Sequence, residues 1–436
     1  MEPTTIYNRK AEMTGREELE QFQLERLQTT LNRAYRNVAF YRAAFDAAHI
    51  DIESFNDLAA MRRLPFTTQD DLRRSYPYAM FAVPLREIVR IHSSGGATSQ
   101  PVVVGHTRND LRNWIECAAR VLAAAGVSDR DVVQFSLDCQ HTSASFGFQQ
   151  GAEQIGASVI RSAGCSSTLR QVNVMRDFKT SVLVCSPHHA STIATTLEAL
   201  QIHPERLHLR RMLVIGERWS DRMRQQIESQ LHVDTYDAYG PAEIMAPGTA
   251  GECSHRRGLH INEDHLIAEV IDPKTLEPLP AGAIGELVLT TITREGCPLI
   301  RYRTGDLTSL DASPCPCGRT FTRMARITGR TDNLVLFRGN GFYPAQVEAL
   351  LEVACGTKPS YRIILDRQGN ADTLEIRLEI GEGMPPLDEV RALEALRANL
   401  VQQIKMQLDV DAKVGFAEPR SLRELGEEPL IDRRPW

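Results

Sequence analysis

Ten consecutive residues, His92-Ser93-Ser94-Gly95-Gly96-Ala97-Thr98-Ser99-Gln100-Pro101, follow an expected short strand at residues 89–92. Small side chains let backbone N–H groups close around an anion, and the Ser and Thr hydroxyls add donors. The run suits a phosphate, although a plain flexible loop has the same composition. It is neither a G-x-x-x-x-G-K-[ST] P-loop nor a G-x-G-x-x-G dinucleotide fingerprint. A second group is built from sulfur and imidazole. Cys253 and His260 are separated by six residues, and Cys315 and Cys317 form a C-x-C pair tightened by Pro316 and Gly318. Four N/S donors in two short clusters suit tetrahedral Zn²⁺, with His255 an alternative to His260. Four protein ligands leave no open position, so such an ion would be structural. The competing reading is three small buried cysteines and a core histidine.

The elements that must position these groups follow from periodicity. Up to about residue 60 the chain reads as helix, with Leu19, Phe22, Leu27 and Leu31 near helical spacing. Short apolar runs at 131–137, 158–161, 181–186, 211–215 and 233–236 then alternate with helices. One helix ends at Gly126, and another carries Trp219, Met223, Ile227 and Leu231 four residues apart. The alternation predicts an α/β fold with a mostly parallel sheet covered on both faces. Segments 266–271 and 284–292 alternate apolar and polar residues, which predicts antiparallel pairing. From about residue 332 a small α+β unit follows, including a helix over 388–408 with Val390, Leu393, Leu396, Leu400, Ile404 and Leu408 on one face; the last twenty residues read as loop. The expected domains are 1–331 and 332–436.

Composition bounds the function. The chain has 436 residues, enough for a large core in two or three domains. A net charge of −6 with no basic run argues against a nucleic-acid partner. No apolar stretch reaches the roughly 20 residues of a membrane helix, and the polar first thirty residues carry no expected secretory signal. Nine scattered cysteines, an odd number, fit a reducing cytoplasm. Cysteines 117, 139, 165, 185, 297 and 355 read as core residues.

Further motifs accompany the small-residue loop in a fixed order. They are Ile215-Gly216-Glu217-Arg218-Trp219, Asp237-Ala238-Tyr239-Gly240-Pro241-Ala242-Glu243, Ile300-Arg301-Tyr302-Arg303-Thr304-Gly305-Asp306-Leu307, and Ile327-Thr328-Gly329-Arg330-Thr331-Asp332-Asn333 leading to Arg338-Gly339-Asn340-Gly341-Phe342-Tyr343-Pro344. Together they resemble the adenylate-forming superfamily of acyl-CoA ligases, most closely its phenylacetate–CoA ligase branch, from about residue 15 to near the C-terminus. The branch details are Glu252-Cys253, Gly258-Leu259-His260-Ile261 and Cys315-Pro316-Cys317-Gly318-Arg319-Thr320. The resemblance implies a large N-terminal domain of mostly parallel sheet with helices and an antiparallel segment, plus a small mobile C-terminal α+β domain. It implies ATP-dependent activation of a small carboxylic acid, an aromatic acid such as a phenylacetate- or benzoate-like compound, to an acyl-adenylate. Pyrophosphate is released and the acyl group passes to CoA. By the family pattern Ser94, Gly96 and Thr98 hold the triphosphate. Tyr239 lies against adenine, with Gly216 and Glu217 walling a pocket that includes Asp237, Ala238 and Gly240. Glu243 holds Mg²⁺, and Asp306, assisted by Arg330, binds the ribose; Glu243, Thr98 and Arg330 carry the catalytic step. His141, Ser145, Phe146 and His188, with Tyr239, Gly240 and Pro241, would line the acid pocket, where the histidines contact a polar substituent or serve as structural groups. Asp332 would be the hinge, with Gly339 and Gly341 near the pantetheine channel. A homodimer is the family expectation.

Two departures stand out. Gln100 occupies the place of a phosphate-contacting Lys, and Ser99 that of a Gly. Near the C-terminus, where the family carries Gly-Lys, Glu427 follows Gly426. A carboxylate there repels the two anions that must meet, and losing one charged transition-state donor commonly costs about 100- to 1000-fold. Arg420, Arg423, Arg433, Arg434 or Lys413 could substitute. The rival readings are a ligase with a non-CoA acceptor such as an amine, activation of a small acid such as nitrite, and a nucleotide-binding homologue that has lost adenylation.

Overall fold

A computed structural model describes residues 5–434 except 54, 95–99, 138–141, 162–166, 339, 358, 369–370, 382–383, 387–388, 420 and 426–427. Its centre is a nine-stranded sheet. From Asp234–Tyr239 outward, Arg211–Val214, Val182–Cys185, Val132–Ser136 and Ser158–Arg161 are all parallel. On the other side of Asp234–Tyr239 the neighbours Ala250–Glu252, Leu259–Ile261, Arg323–Met324 and Leu310–Asp311 run antiparallel. The strand period of two sorts side chains onto two faces. Val182, Val184, Leu213 and Ile215 enter one core, whereas Leu183, Cys185, Met212 and Val214 enter another. Both faces are therefore covered, as the unbroken apolar runs predict.

The helices between the strands begin at side-chain caps. Thr107 forms a capping box with Asp110 at the head of Arg108–Ala124, and Ser186 and Ser220 cap Pro187–Ala199 and Asp221–Leu231. Trp219 thus precedes the helix on which its spacing had placed it, while Met223, Ile227 and Leu231 are buried on one face. Gly126 turns left-handed after the first of these helices, as expected. Helix Thr142–Ile155 crosses Arg108–Ala124 at very short range. A Cβ on Gly151 would stand 2.8 Å from the Ala119 backbone nitrogen, and one on Gly147 2.7 Å from the Trp114 ring nitrogen.

A four-stranded antiparallel sheet, Leu266–Ile271, Gly285–Thr291, Tyr302–Thr308 and Gly329–Arg330, packs under the N-terminal helices Arg16–Asn37 and Ala39–Ala47. Gly285–Thr291 is buried at every residue rather than on one face. In Arg16–Asn37, Leu19, Leu27 and Leu31 are buried, but Phe22 is 37% exposed and lies off the apolar face.

The C-terminal α+β domain has its own core. Its sheet runs in the order Lys413–Ala417, Ala371–Glu379, Tyr361–Gln368, Leu430–Asp432, with helices Pro344–Cys355 and Val390–Leu408 packed on it. The terminal segment expected as loop instead supplies Leu430–Asp432, paired in parallel with Tyr361–Gln368. Three residues are too few to show a period, and their strand state comes from the neighbour they pair with. Val390, the first residue of its helix, is 63% exposed and not on the buried face. Among the described residues no helix is long and apolar enough to cross a membrane.

Candidate functional site

One cavity of about 1540 Å³ lies where the parallel strands end and the C-terminal domain closes over them. Two hairpins frame it. Arg90–Ser94 pairs with Val102–His106 and presents Arg90, His92 and Ser94. From the C-terminal domain, Val335–Phe337 pairs with Asn340–Phe342 and presents Gly341. Gly216, with φ +93°, turns the chain after strand Arg211–Val214, and Asp237, Ala238 and Tyr239 come from the end of the next strand.

The polar side of the cavity is a linked set of charges. The Tyr239 hydroxyl donates to Asp306 Oδ2 at 2.6 Å, and Arg330 donates to Asp306 Oδ1. Register puts Asp306 opposite Arg330 on adjacent strands. The same guanidinium reaches Asp332 at 2.6 and 2.8 Å and the Thr304 carbonyl at 3.0 Å. Burial raises the Asp306 carboxyl above its ordinary value, against the opposing pull of Arg330 and Tyr239. Gly305 makes this packing feasible: its φ is +76°, and a Cβ there would lie 2.7 Å from Arg330 Nη2. Asp237 accepts from Arg326 Nε at 3.0 Å; burial, with Glu252 beside it, pushes its carboxyl up to about 6.

Glu243 lies at the cavity wall with its backbone carbonyl held by the buried Arg294 and its carboxylate by Gln69 Nε2 at 3.3 Å. Its carboxylate oxygens are the hard donors a divalent cation takes, with phosphates and water completing the shell. The Tyr343 hydroxyl donates to Gln69 Oε1 at 2.9 Å and lies 3.3 Å from Asp332 Oδ2. Beside Glu243, His92, His106, Trp114 and Phe146 form an aromatic cluster with centroid separations of 5.0–5.5 Å, and the Arg90 guanidinium lies 3.6 Å from the Phe146 ring centroid. Burial, with Arg90 and Arg294 adding, holds the His92 imidazole down to about 4, so it is neutral at pH 7.

The sulfur cluster also assembles, away from the cavity. Cys253, His260, Cys315 and Cys317 are all buried, and their donor atoms lie within 4.8 Å of one another. Cys253 Sγ to Cys315 Sγ is 3.8 Å, and Cys317 Sγ to His260 Nε2 is 3.4 Å. Tetrahedral bonds of about 2.3 Å to a common ion place two sulfurs about 3.8 Å apart, so the residues fit zinc. His260, not His255, completes the set. Its other nitrogen, Nδ1, stands 3.3 Å from the Phe321 carbonyl, which orients Nε2 toward the thiols. Hydrogen bonding from Cys253, and secondarily from His260, pulls the Cys317 thiol far below its ordinary value.

Of the residues singled out in the sequence, Ser94, Gly216, Glu217, Asp237, Ala238, Tyr239, Gly240, Pro241, Glu243, Asp306, Arg330 and Asp332 converge on the one cavity. Gly96, Thr98, Ser99, His141, Gly339, Arg420, Gly426 and Glu427 lie outside the described residues. Three expected acid-pocket residues do not line the cavity. Ser145 accepts a bond from Gln149 on its own helix, Phe146 packs behind Arg90, and His188 lies in the field of Arg338, Asp372 and Arg367. Of the expected substitutes for the missing Lys, Arg434 reaches the cavity but is committed to Asp372 and Asp432, and Lys413 lies on an edge strand of the C-terminal sheet, outside the cavity. Gln69, Arg90 and Tyr343 carried no role in the sequence reading. Tyr343 was visible there as the residue before a helix-starting Pro, which says nothing of what its hydroxyl reaches.

The AMP-binding enzyme family model matches residues 24–293, and that of the AMP-binding enzyme C-terminal domain matches residues 339–434. The chain is 40% identical to the phenylacetate–coenzyme A ligase of Thermus thermophilus, over 95% of this chain and 96% of that one. It superposes on 2-hydroxyisobutyryl-CoA ligase bound to 2-HIB-AMP and CoA in the thioesterification state, at 26% identity and a TM-score of 0.90, covering 98% of this chain and 92% of that one. Against the same ligase in the postadenylation state, with the same coverage, the TM-score falls to 0.72. The domain arrangement here is thus closer to that ligase's thioesterification state than to its postadenylation state. Carrying both family matches and a close relative over nearly its whole length, the chain belongs to the AMP-binding, adenylate-forming enzyme family, in its phenylacetate–CoA ligase-like branch.

Proposed function

We propose that the protein is an ATP- and Mg²⁺-dependent ligase that activates a compact aromatic carboxylic acid as its acyl-adenylate and transfers the acyl group to CoA. The observation carrying this reading is the meeting of Ser94, Tyr239, Glu243, Asp306 and Arg330 on one cavity at the strand ends, in a chain whose relative is a phenylacetate–coenzyme A ligase. Tyr239, its hydroxyl tied to Asp306, offers a fixed ring face to adenine. Asp306 accepts from the ribose, and Arg330 holds that carboxylate in place. Glu243 would hold Mg²⁺, which supplies charge neutralisation for the phosphates. Of the aromatic cluster, His92 reaches the cavity wall, and its neutral, flat ring gives a surface suited to an aryl group. Residues 1–331 and 332–436 act as the two moving units about Asp332, and Cys253, His260, Cys315 and Cys317 hold a structural Zn²⁺.

Pyrophosphate release with a panel of aryl acids, with and without CoA, tests the reading. AMP and acyl-CoA formation from an aryl acid is the expected result; no release with any acid overturns it. One observation favours a second reading: no Lys stands among the described residues lining the cavity. A homologue that binds nucleotide without adenylating would bind ATP by calorimetry with no turnover, and Glu427→Lys would restore activity. Metal analysis of protein purified without chelator should find one zinc per chain, lost in Cys253→Ser.

A further inference from the structure

We infer that Tyr343 is the positioning residue that latches the C-terminal domain over the cavity for the thioester-forming step, and that it does so through Gln69. This rests on the ligase reading above. Tyr343 belongs to the C-terminal domain and Gln69 to the N-terminal one. Between them runs a 2.9 Å hydrogen bond from the phenol to the amide oxygen. Both ends are rigidly mounted. Gln69 opens helix Gln69–Arg74, whose capping box is formed by Thr68 and Asp71. Tyr343 caps Pro344–Cys355, with its backbone N–H donating to Gln346 Oε1 at 2.8 Å. One turn along from Gln69, Arg73 places its guanidinium 5.5 Å from the centroid of the Tyr343 ring, adding a cation–π contact on the same side.

The bond also reports to the reacting centre. When Gln69 Oε1 accepts from Tyr343, its amide is turned so that Nε2 faces Glu243 Oε1, 3.3 Å away. The Tyr343 hydroxyl is 3.3 Å from Asp332, which is tied through Arg330 to Asp306 and on to Tyr239. An unbroken chain of polar contacts therefore joins the Glu243 carboxylate to the Asp306 carboxylate through a single residue of the C-terminal domain beyond the hinge position. The chain exists in the thioesterification arrangement, in which Glu243 is engaged by an amide. Rotation of the domain about Asp332 breaks the Tyr343–Gln69 link and frees Glu243. The latch thus favours the second half-reaction and contributes nothing to the first.

The test separates the two half-reactions and the domain position. Tyr343→Phe removes one oxygen and keeps the ring. In single-turnover experiments it should leave the pyrophosphate burst within about twofold and slow CoA-dependent AMP release about tenfold, the scale of one net hydrogen bond. A variant that merely loosened the fold would slow both steps. Independently of activity, spin labels at the exposed positions Ala199→Cys and Ala398→Cys report the domain separation. Tyr343→Phe and Gln69→Met should each add a second distance population absent from the parent. An unchanged distance distribution, or equal slowing of both half-reactions, overturns the latch. If the parent adenylates no acid, the ligase reading fails, while the distance measurement still decides whether Tyr343 and Gln69 hold the domain.

Discussion

Gly305 shows how much a single residue position carries. A side chain there meets both a left-handed backbone and the Arg330 guanidinium at 2.7 Å. Gly305→Ala should therefore destabilise by about 2 kcal/mol, strain and overpacking combined, and weaken AMP binding by shifting Arg330 away from Asp306. Denaturant melts and AMP titration would show both effects together. Asp237 makes a pH prediction. Its carboxyl is pushed up to about 6, above the ordinary value near 4. The native state therefore takes up the proton more readily than the unfolded chain. That stability is fully present below about pH 4 and is lost as pH rises through 6. Asp237→Asn, which can still accept from Arg326, should melt above the parent at pH 8 and level with it at pH 4.5. Residue types were readable from sequence where chemistry is local to a motif. The cysteine donors are legible from their own spacing, whereas Asp306 and Arg330 are legible only through the ordered set of motifs that carries the family resemblance. Gln69 is not legible, because a glutamine two residues after Phe-Thr has no signature until folding brings Tyr343 from 274 positions away.

At the scale of elements, strands and helices with a full period were legible, and those held by partners were not. The parallel strands had continuous apolar runs, and their partition into two cores followed from alternation alone. Leu430–Asp432 owes its state to Tyr361–Gln368, and Phe22 shows that a spacing can fit while its azimuth does not. The crossing of Thr142–Ile155 over Arg108–Ala124 likewise depends on what Gly147 and Gly151 leave out. Gly151→Leu should cost about 3 kcal/mol or more, because the Ala119 backbone cannot retreat as a flexible side chain can; a lowered urea midpoint with an unchanged slope would register it. The buried pair Arg319–Glu12, at 2.5 Å, fastens the first helical turn to the loop that carries Cys315 and Cys317. Glu12→Ala strands a guanidinium without its counter-charge, an expected loss of about 3–5 kcal/mol, whereas replacing both partners with apolar residues should recover most of it.

For the molecule as a whole, the C-terminal domain keeps a core of its own, and residues of both domains line one cavity. Which way the two domains face each other is what separates the TM-scores of 0.90 and 0.72 against the two states of 2-hydroxyisobutyryl-CoA ligase. Elsewhere the architecture is tied shut. The sulfur cluster joins points 62 residues apart in the chain, Cys253 and Cys315. With the proposed zinc bridging them, fastening so long a loop would be worth about 4 kcal/mol in the chain-entropy description of a cross-link. Were zinc absent and a mild oxidant such as diamide present, the same pair, 3.8 Å apart, would need little movement to become covalently joined. Enzyme recovered from metal-starved, oxidising conditions would then weigh 2 hydrogens less per chain, refuse zinc on readdition, and accept it again after a reducing agent: a fastener that can change its material without changing its place.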